Sequence, residues 1–211
     1  MINDFKGLYL ITDEKLINQD KYFDIVDLAC SLQPSILQFR IKDCDYSEIL
    51  DKAKELRKIT RKHNTIFVIN DYPQLVEDVD ADGLHIGITD MSFDECRSLL
   101  GNNKIIGVSC YGDIDRAKEF IEKKANYIAI GTPYKTKTKP KRKFTNLETM
   151  KEIVNLDPNF PIFAIGGIET SNVEEIMNTG VKGVAVINGV FGSDNIKSKI
   201  LDFKSLLKKF V

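Results

Sequence analysis

The sequence predicts a single-domain (β/α)8 TIM barrel, an α/β fold in which eight parallel strands alternate with helices. Eight short apolar runs recur about every 25 residues, each followed by a segment able to form a helix. The runs are apolar on both faces, as expected of parallel strands covered by helices. A doubly wound open sheet is the alternative, but the chain lacks the strand-turn-helix G-x-G-x-x-G opening typical of it.

Strands and helices are predicted in alternation along the chain. The helix after Asp45 shows the pattern clearly, because Ile49, Ala53 and Leu56 share one face while charged residues cover the other. Asp45 and Glu48 have the spacing of a capping box. Strands are predicted at residues 8–12, 35–41, 66–69, 83–86, 104–108, 127–130, 161–165 and 184–187. The other helices are predicted at 22–32, from near Pro73, and at 93–100, 114–123, 147–154, 173–177 and from about 195 onward.

Composition narrows the classes of function. The 211 residues include 43% hydrophobic and 29% charged residues, no linker-like segment divides them, and we expect one domain over residues 1–211. The formal net charge of -1 disfavours a globally cationic nucleic-acid binder. Four cysteines without a C-x-x-C pair predict reduced thiols, not a zinc site. With no leader and no apolar run of membrane-spanning length, we expect a cytoplasmic protein.

A lysine-rich stretch follows the sixth predicted strand. It reads Gly131-Thr-Pro-Tyr-Lys-Thr-Lys-Thr-Lys139 and is followed by the basic residues 141–143. Its hydroxyl and ammonium groups can all donate hydrogen bonds to an anion. A solvated loop, a phosphate clamp and a nucleic-acid patch remain as interpretations, although no aromatic residues alternate with the basic run as single-strand binders require.

The second predicted strand alternates between apolar and polar residues. Side chains in a strand alternate faces, so the apolar set meets the helices and the polar set points into the barrel near its mouth. Two cations there would be costly unless they face a ligand anion. The apolar residues are Leu37, Phe39 and Ile41, and the polar residues are Gln38, Arg40 and Lys42.

Acidic residues follow the next two strands. Asn70 and Asp71 end strand three, and Asp90 lies three residues beyond Gly87, at the end of strand four. If these strands are neighbours, the two carboxylates meet at the barrel mouth. Together with a phosphorylated ligand they would suit Mg²⁺, which binds through one or two carboxylates plus phosphate. The alternative is that each aspartate caps the helix that follows it.

The remaining polar features lie at the ends of later strands. His63 and His85 are both predicted to be structural, and no histidine has an evident position from which to activate Ser109. A hydrogen-bonding role is therefore expected for Ser109. Gly166-Gly167 ends strand seven and Asn188-Gly189 ends strand eight, where barrels commonly bind phosphate.

The order and spacing of these motifs, from about Gly7 to Phe191, resemble the thiamine phosphate synthase family, within a group that also contains the thiazole tautomerases. Each motif is short, but their combination is specific. The motifs are Gln38-x-Arg40-x-Lys42, Asn70-Asp71, Ala81-Asp-Gly-Leu-His-Ile-Gly87 with Asp90, Gly107-Val-Ser109, Thr136-x-Thr138-Lys139 and Ala164-Ile-Gly-Gly-Ile168.

The resemblance implies a transferase that joins hydroxymethylpyrimidine diphosphate to thiazole phosphate, releasing pyrophosphate. It implies Mg²⁺ held by Asp71 and Asp90, and Ser109 and Lys139 as catalytic residues near the leaving group. The expected partners are small-molecule substrates, with no nucleic acid or membrane and a possible homo-oligomer. The implied substrate contacts are Gln38 for the pyrimidine, Arg40, Lys42, Asn70 and Lys139 for the diphosphate, and Thr136, Thr138, Gly167 and Asn188 for the thiazole phosphate.

Several positions depart from the family pattern. Ile88 replaces a usual glutamine, Asn188 a common serine, and Lys135 a usual proline, and Thr132 stands where proline often follows the glycine. Tyr111 stands where relatives often have a histidine. The absence of this histidine argues against the alternative of a thiazole tautomerase, in which the residue at that position is thought to act as acid and base. A non-catalytic anion-binding or RNA-binding protein is the other alternative.

Overall fold

A closed barrel of eight parallel strands forms the centre of the computed structural model, which describes residues 5–41, 44–135 and 144–210. Each strand pairs with the next in sequence, and β1 pairs with β8 to close the ring. The predicted fold class is confirmed. The strands are β1 Gly7–Ile11, β2 Ile36–Phe39, β3 Ile66–Asn70, β4 Gly83–Ile86, β5 Ile105–Tyr111, β6 Tyr127–Gly131, β7 Ile162–Ile165 and β8 Gly183–Val186.

Helices connect consecutive strands around the outside of the barrel. Among the described helices, none combines the length and apolar composition needed to cross a bilayer. They are α1 Tyr22–Ser31, α2 Tyr46–Lys62, α3 Pro73–Asp78, α4 Phe93–Leu100, α5 Ile114–Glu122, α6 Leu147–Leu156, α7 Val173–Met177, α8 Asn188–Phe191 and α9 Ile196–Leu207.

Two local predictions at helix starts are wrong. Asp45 precedes α2 as its N-cap, but its side chain makes no capping hydrogen bond, so the predicted capping box with Glu48 is not formed. A capping box does form at the start of α4, between Ser92 and Glu95. Asn188 and Gly189 do not end strand eight, because they form the first turn of the short helix α8.

Apolar side chains pack in two regions separated by the sheet. The larger lies between the strands and the helices and includes Leu37, Phe39 and Ile41. The smaller fills the barrel interior, where Tyr9, Tyr127 and Phe163 pack with smaller apolar residues. The predicted alternation of strand two is therefore confirmed on its apolar face.

Gly107 makes room for Tyr127, one of the two tyrosine side chains of the interior. A Cβ atom added to Gly107 would lie 2.0 Å from Cζ of the Tyr127 ring, far inside van der Waals contact. The Tyr127 ring is fully buried against this glycine on the neighbouring strand β5. The absence of a side chain at Gly107 thus allows a tyrosine hydroxyl to lie inside the barrel.

Asp82, directly before β4, connects helix α2 to the amino-terminal end of the sheet. Its carboxylate accepts two hydrogen bonds from the Arg57 guanidinium, each 2.8 Å long, and one of 2.7 Å from the backbone N–H of Phe67. Bidentate arginine–carboxylate bonds are among the stronger polar contacts in proteins. Asp82 therefore contributes to stability well away from the barrel mouth.

We expect Asp82→Asn to lower the free energy of unfolding by about 1–2 kcal/mol, because an amide N–H₂ would then face a donor of Arg57 or Phe67. Asp80→Asn is the matched control. Asp80 makes exposed ion pairs with Arg61 and Lys104, and such pairs contribute ~0–1 kcal/mol. Urea-induced unfolding measures both changes, and an equal loss in the two variants would contradict the prediction.

Candidate active site

A cavity of about 230 Å³ opens at the carboxyl ends of the strands. The closed barrel brings these ends together from both halves of the chain. Each of the eight strands, or the loop directly after it, contributes at least one polar residue to its wall. Six predicted site residues line it, namely Gln38, Arg40, Asn70, Ser109, Gly167 and Asn188.

The two predicted metal ligands lie beside this cavity and do not line it. Asp71 directly follows β3, has a left-handed backbone with φ of 67°, and donates its N–H to the carbonyl of His85 over 3.0 Å. The Asp90 carboxylate accepts a 2.6 Å hydrogen bond from the N–H of Gly87, at the end of β4. Both carboxylates therefore follow the ends of neighbouring strands.

Neither aspartate is the N-cap of the helix that follows it. Tyr72 is the N-cap of α3 and Ser92 that of α4, so the alternative of simple helix caps is wrong for Asp71 and Asp90. Across residues 5–41, 44–135 and 144–210, no three His, Cys, Asp or Glu side chains group closely enough to hold a metal ion. A metal at this site would need other ligands, such as water or phosphate oxygen.

Part of the predicted anion site belongs to segments outside the described residues. Lys42, Thr136, Thr138 and Lys139 lie outside the described residues. The start of the lysine-rich stretch is described, and its Lys135 lines the cavity. The buried Thr132 hydroxyl donates to the carbonyl of Gly166, connecting the loop after β6 to the glycine pair after β7.

Gly167 has little space around its Cα. Its φ is +67°, and an added Cβ would lie 2.2 Å from the carbonyl oxygen of Lys135 and 2.8 Å from Cβ of Tyr134. Glycine adopts this left-handed conformation without steric cost. The glycine pair therefore permits the loops after β6 and β7 to approach each other closely at the cavity wall.

Arg40 presents a cation to the cavity. Its backbone N–H donates to Thr12 Oγ1 over 3.1 Å, which fixes the end of β2 next to β1. Its Nη1 lies 3.7 Å from the Asp13 carboxylate, a loose ion pair. A guanidinium has five N–H donors, so this contact is compatible with binding an anion in the cavity.

Arg116 is a structural residue of the mouth that the sequence analysis missed. Its Nε donates to the carbonyl of Ser109 over 2.9 Å, and its guanidinium lies 4.7 Å from the centre of the Phe120 ring. It therefore holds the end of β5 in place. The available signal was a cation in the first turn of α5, where the helix dipole disfavours positive charge.

A chain of hydrogen bonds crosses the barrel interior beneath the cavity. Gln38 Nε2 donates to the Tyr9 hydroxyl over 2.6 Å, and the Tyr9 and Tyr127 hydroxyls are 2.7 Å apart. The Tyr127 hydroxyl lies 3.0 Å from His85 Nδ1, and His85 Nε2 lies 2.9 Å from Ser109 Oγ. Two residues that line opposite parts of the cavity, Gln38 and Ser109, are thus connected through buried side chains.

The hydrogen-bonding contact between His85 and Ser109 is one that the sequence analysis did not identify. In the pairing of β4 with β5, His85 is opposite Gly107, and Ser109 lies two residues further on the same face. Side chains separated in this diagonal way are within reach of a long side chain such as histidine. Applying the strand register to the sequence would have identified the pair.

Tyr9 and Tyr127, the two tyrosines of this series of hydrogen bonds, both remain neutral. Burial raises the pKa of Tyr9, against the opposing effect of its hydrogen bonds with Tyr127 and Gln38. Burial also raises the pKa of Tyr127, and the neighbouring Tyr9 raises it further. Each phenol therefore keeps its single proton and can donate one hydrogen bond. A buried donor without an acceptor costs about 1–3 kcal/mol, so full pairing is favoured.

The chain resembles one family over most of its length. Residues 8–190 match a family model described as thiamine monophosphate synthase. The thiamine-phosphate synthase of Persephonella marina is 33% identical over 206 residues, covering 97% of this chain and 97% of the relative. That of Clostridium acetobutylicum is 34% identical over 206 residues, covering 98% of this chain and 96% of the relative.

Solved structures give the same result. Thiamine phosphate pyrophosphorylase from Pyrococcus furiosus matches with a TM-score of 0.90 and 29% identity over 100% of both chains. Orotidine 5'-phosphate decarboxylase from Pyrococcus horikoshii matches with a TM-score of 0.68 and 9% identity, over 94% of this chain and 99% of the other, which shows the barrel fold alone. By sequence and by fold together, the chain belongs to the thiamine monophosphate synthase family.

Proposed function

We propose that the chain is a transferase of thiamine biosynthesis, which joins hydroxymethylpyrimidine diphosphate to thiazole phosphate and releases thiamine phosphate and pyrophosphate. Its family and the printed names of its relatives support this activity. The observation that carries the proposal is the convergence on one cavity of a cation, amide and hydroxyl groups, and a glycine pair. These groups suit a site for two phosphorylated substrates.

The reaction needs stabilisation of a leaving anion more than it needs a base. The bond between the methylene carbon and a diphosphate oxygen breaks, and the oxygen keeps the electron pair. The thiazole nitrogen then gives its lone pair to that carbon, so the product is a thiazolium cation and no proton has to leave. Preorganised donors that face the developing charge are the main source of catalysis in such a site.

We assign Arg40, Asn70 and Ser109 to the diphosphate, and Lys42 and Lys139, outside the described residues, to the same anion. Arg40 directly follows β2, Asn70 ends the neighbouring β3, and Ser109 reaches the cavity from β5. Ser109 and Lys139 would act as the catalytic donors as negative charge develops on the departing oxygen.

The two rings would bind on either side of the reacting carbon. Gln38 would face the pyrimidine, with its amide held by the Tyr9 hydroxyl. The Gly167 N–H and Asn188 would bind the thiazole phosphate, together with Thr136 and Thr138 from outside the described residues. The position of Gly167 and Asn188 after the last two strands is the usual phosphate site of this fold.

Asp71 and Asp90 fit the ligand requirements of Mg²⁺. They supply two carboxylates from the ends of neighbouring strands, and Mg²⁺ binds through one or two carboxylates while keeping water and substrate phosphate as its other ligands. When bound, the ion would neutralise part of the charge on the diphosphate. We include it in the proposal on this chemistry.

We further propose that residues 1–211 form one catalytic domain that works on small molecules in the cytoplasm, without a nucleic-acid partner. The pairing of β1 with β8 supports a single domain, because the first and last strands belong to one sheet. Homo-oligomer formation stays a prediction.

The direct test is incubation with both phosphorylated substrates, with and without Mg²⁺. We expect pyrophosphate and thiamine phosphate to appear in equal amounts, and only when the metal is present. The relatives favour neither alternative, a thiazole tautomerase or a non-catalytic anion-binding or RNA-binding protein. The same assay distinguishes the two from the proposed transferase. Tautomerisation of a thiazole phosphate without diphosphate would indicate an isomerase, and salt-sensitive RNA binding without product would indicate a nucleic-acid binder.

Asp71→Asn tests the metal site while preserving the backbone, since asparagine tolerates a left-handed φ. We expect Mg²⁺-dependent product formation to fall on the order of 10²-fold, because a carboxylate ligand is lost. Asp78→Asn is the control, on an exposed carboxylate that bonds Tyr46 and Gln74. Normal turnover by Asp71→Asn, or turnover with the metal chelated, would exclude the assigned role.

Gly167→Ala tests the glycine pair. The added methyl group must displace the Lys135 carbonyl, so we expect the KM for thiazole phosphate to rise about tenfold or more. Gly101→Ala is a matched control, because Gly101 has a φ of +68° and nothing within 4 Å of an added Cβ. Both variants should lose about 1 kcal/mol of stability from backbone strain. A similar KM increase in Gly101→Ala would refute a local effect.

A further inference from the structure

The buried chain from Gln38 to Ser109 has a direction, because each of its members has a limited number of protons. Gln38 Nε2 donates to the Tyr9 oxygen. The single proton of Tyr9 then satisfies the Tyr127 oxygen, 2.7 Å away. The single proton of Tyr127 is directed to His85 Nδ1, 3.0 Å away. In this arrangement the single protons of Tyr9 and Tyr127 each have an acceptor, as buried polar groups require.

The direction of the chain sets the tautomer of His85. A neutral imidazole whose Nδ1 accepts a hydrogen bond carries its proton on Nε2. That N–H faces Ser109 Oγ at 2.9 Å. The serine oxygen therefore accepts from the histidine, and the serine hydroxyl keeps its own proton for a group in the cavity that it lines.

We propose that His85 is a positioning residue, held by Tyr127 as the Nε2–H tautomer so that Ser109 presents its O–H to the anionic leaving group. The identity of that anion as a diphosphate rests on the proposed function. The direction of the hydrogen bonds and the tautomer rest only on the geometry of the described residues.

The arrangement favours catalysis in a specific way. Hydrogen bonds that run in one direction polarise one another, so the Ser109 hydroxyl is a better donor than an isolated serine. It strengthens its bond as charge develops on the departing oxygen, without any proton transfer. In the opposite direction, Ser109 would donate to His85, and only its lone pairs would face an anion.

The tautomer is measured directly by long-range ¹H–¹⁵N correlation NMR of the ring nitrogens. The protein has two histidines, so in the His63→Gln variant the only imidazole signals are those of His85. At about pH 8.5, well above the ordinary imidazole pKa of ~6.5, we expect the Nε2–H pattern. An Nδ1–H ring or a doubly protonated ring would overturn the proposal. This result does not depend on the protein having the proposed activity.

Two tyrosine variants separate this role from simple packing. Tyr127→Phe removes the donor to Nδ1, and we expect His85 to lose its single tautomer. Tyr9→Phe removes a hydroxyl from the same buried cluster but leaves the Tyr127 proton directed at His85, so the Nε2–H tautomer should persist. The same spectrum for both variants, whether changed or unchanged, would contradict the proposed direction.

A double-mutant cycle tests whether the chain acts through Ser109. We expect Tyr127→Phe to lower kcat about tenfold, with the KM for thiazole phosphate unchanged. In a Ser109→Ala background the same substitution should have no further effect on kcat. Additive losses would refute positioning through Ser109, whereas a wild-type protein that makes no thiamine phosphate would refute the proposed function and leave the tautomer result standing.

Discussion

Closure of the parallel sheet is the constraint on which the rest of the structure depends. Because β1 pairs with β8, all eight strands end in one ring, and residues far apart in sequence face a common cavity. Parallel strands require a crossover of at least a dozen or so residues, which places helices on the outside and leaves polar loops at the mouth. Closure of the sheet is the reason that Gln38, Ser109 and Gly167 line the same cavity.

The barrel separates stability from chemistry. Asp82 and Arg57 connect helix α2 to the sheet at the amino-terminal ends of the strands, opposite the end at which the cavity opens. The carboxyl ends carry groups that would be unfavourable in an ordinary core, such as Arg40, together with backbones of positive φ such as Gly167. Between them lies a polar layer, centred on Tyr9 and Tyr127, that is buried but fully hydrogen-bonded.

Much of this arrangement could be predicted from the sequence. Period-two alternation placed Gln38 inside and Leu37 outside, and the strand count indicated a barrel. The contact between His85 and Ser109 was missed because it depends on the register between strands, which periodicity within one strand does not contain. The capping of α4 by Ser92 and not of α2 by Asp45 depends on local loop geometry, which spacing alone does not determine.

Gly107 and Tyr127 have a consequence for the evolution of such barrels. The space that one residue gives up is filled by the other, so a side chain at position 107 would collide with the ring at 127. A side chain at position 107 therefore requires a smaller residue at position 127. We expect the two positions to covary among relatives, small with large, and a loss of the tyrosine to be followed by loss of the glycine.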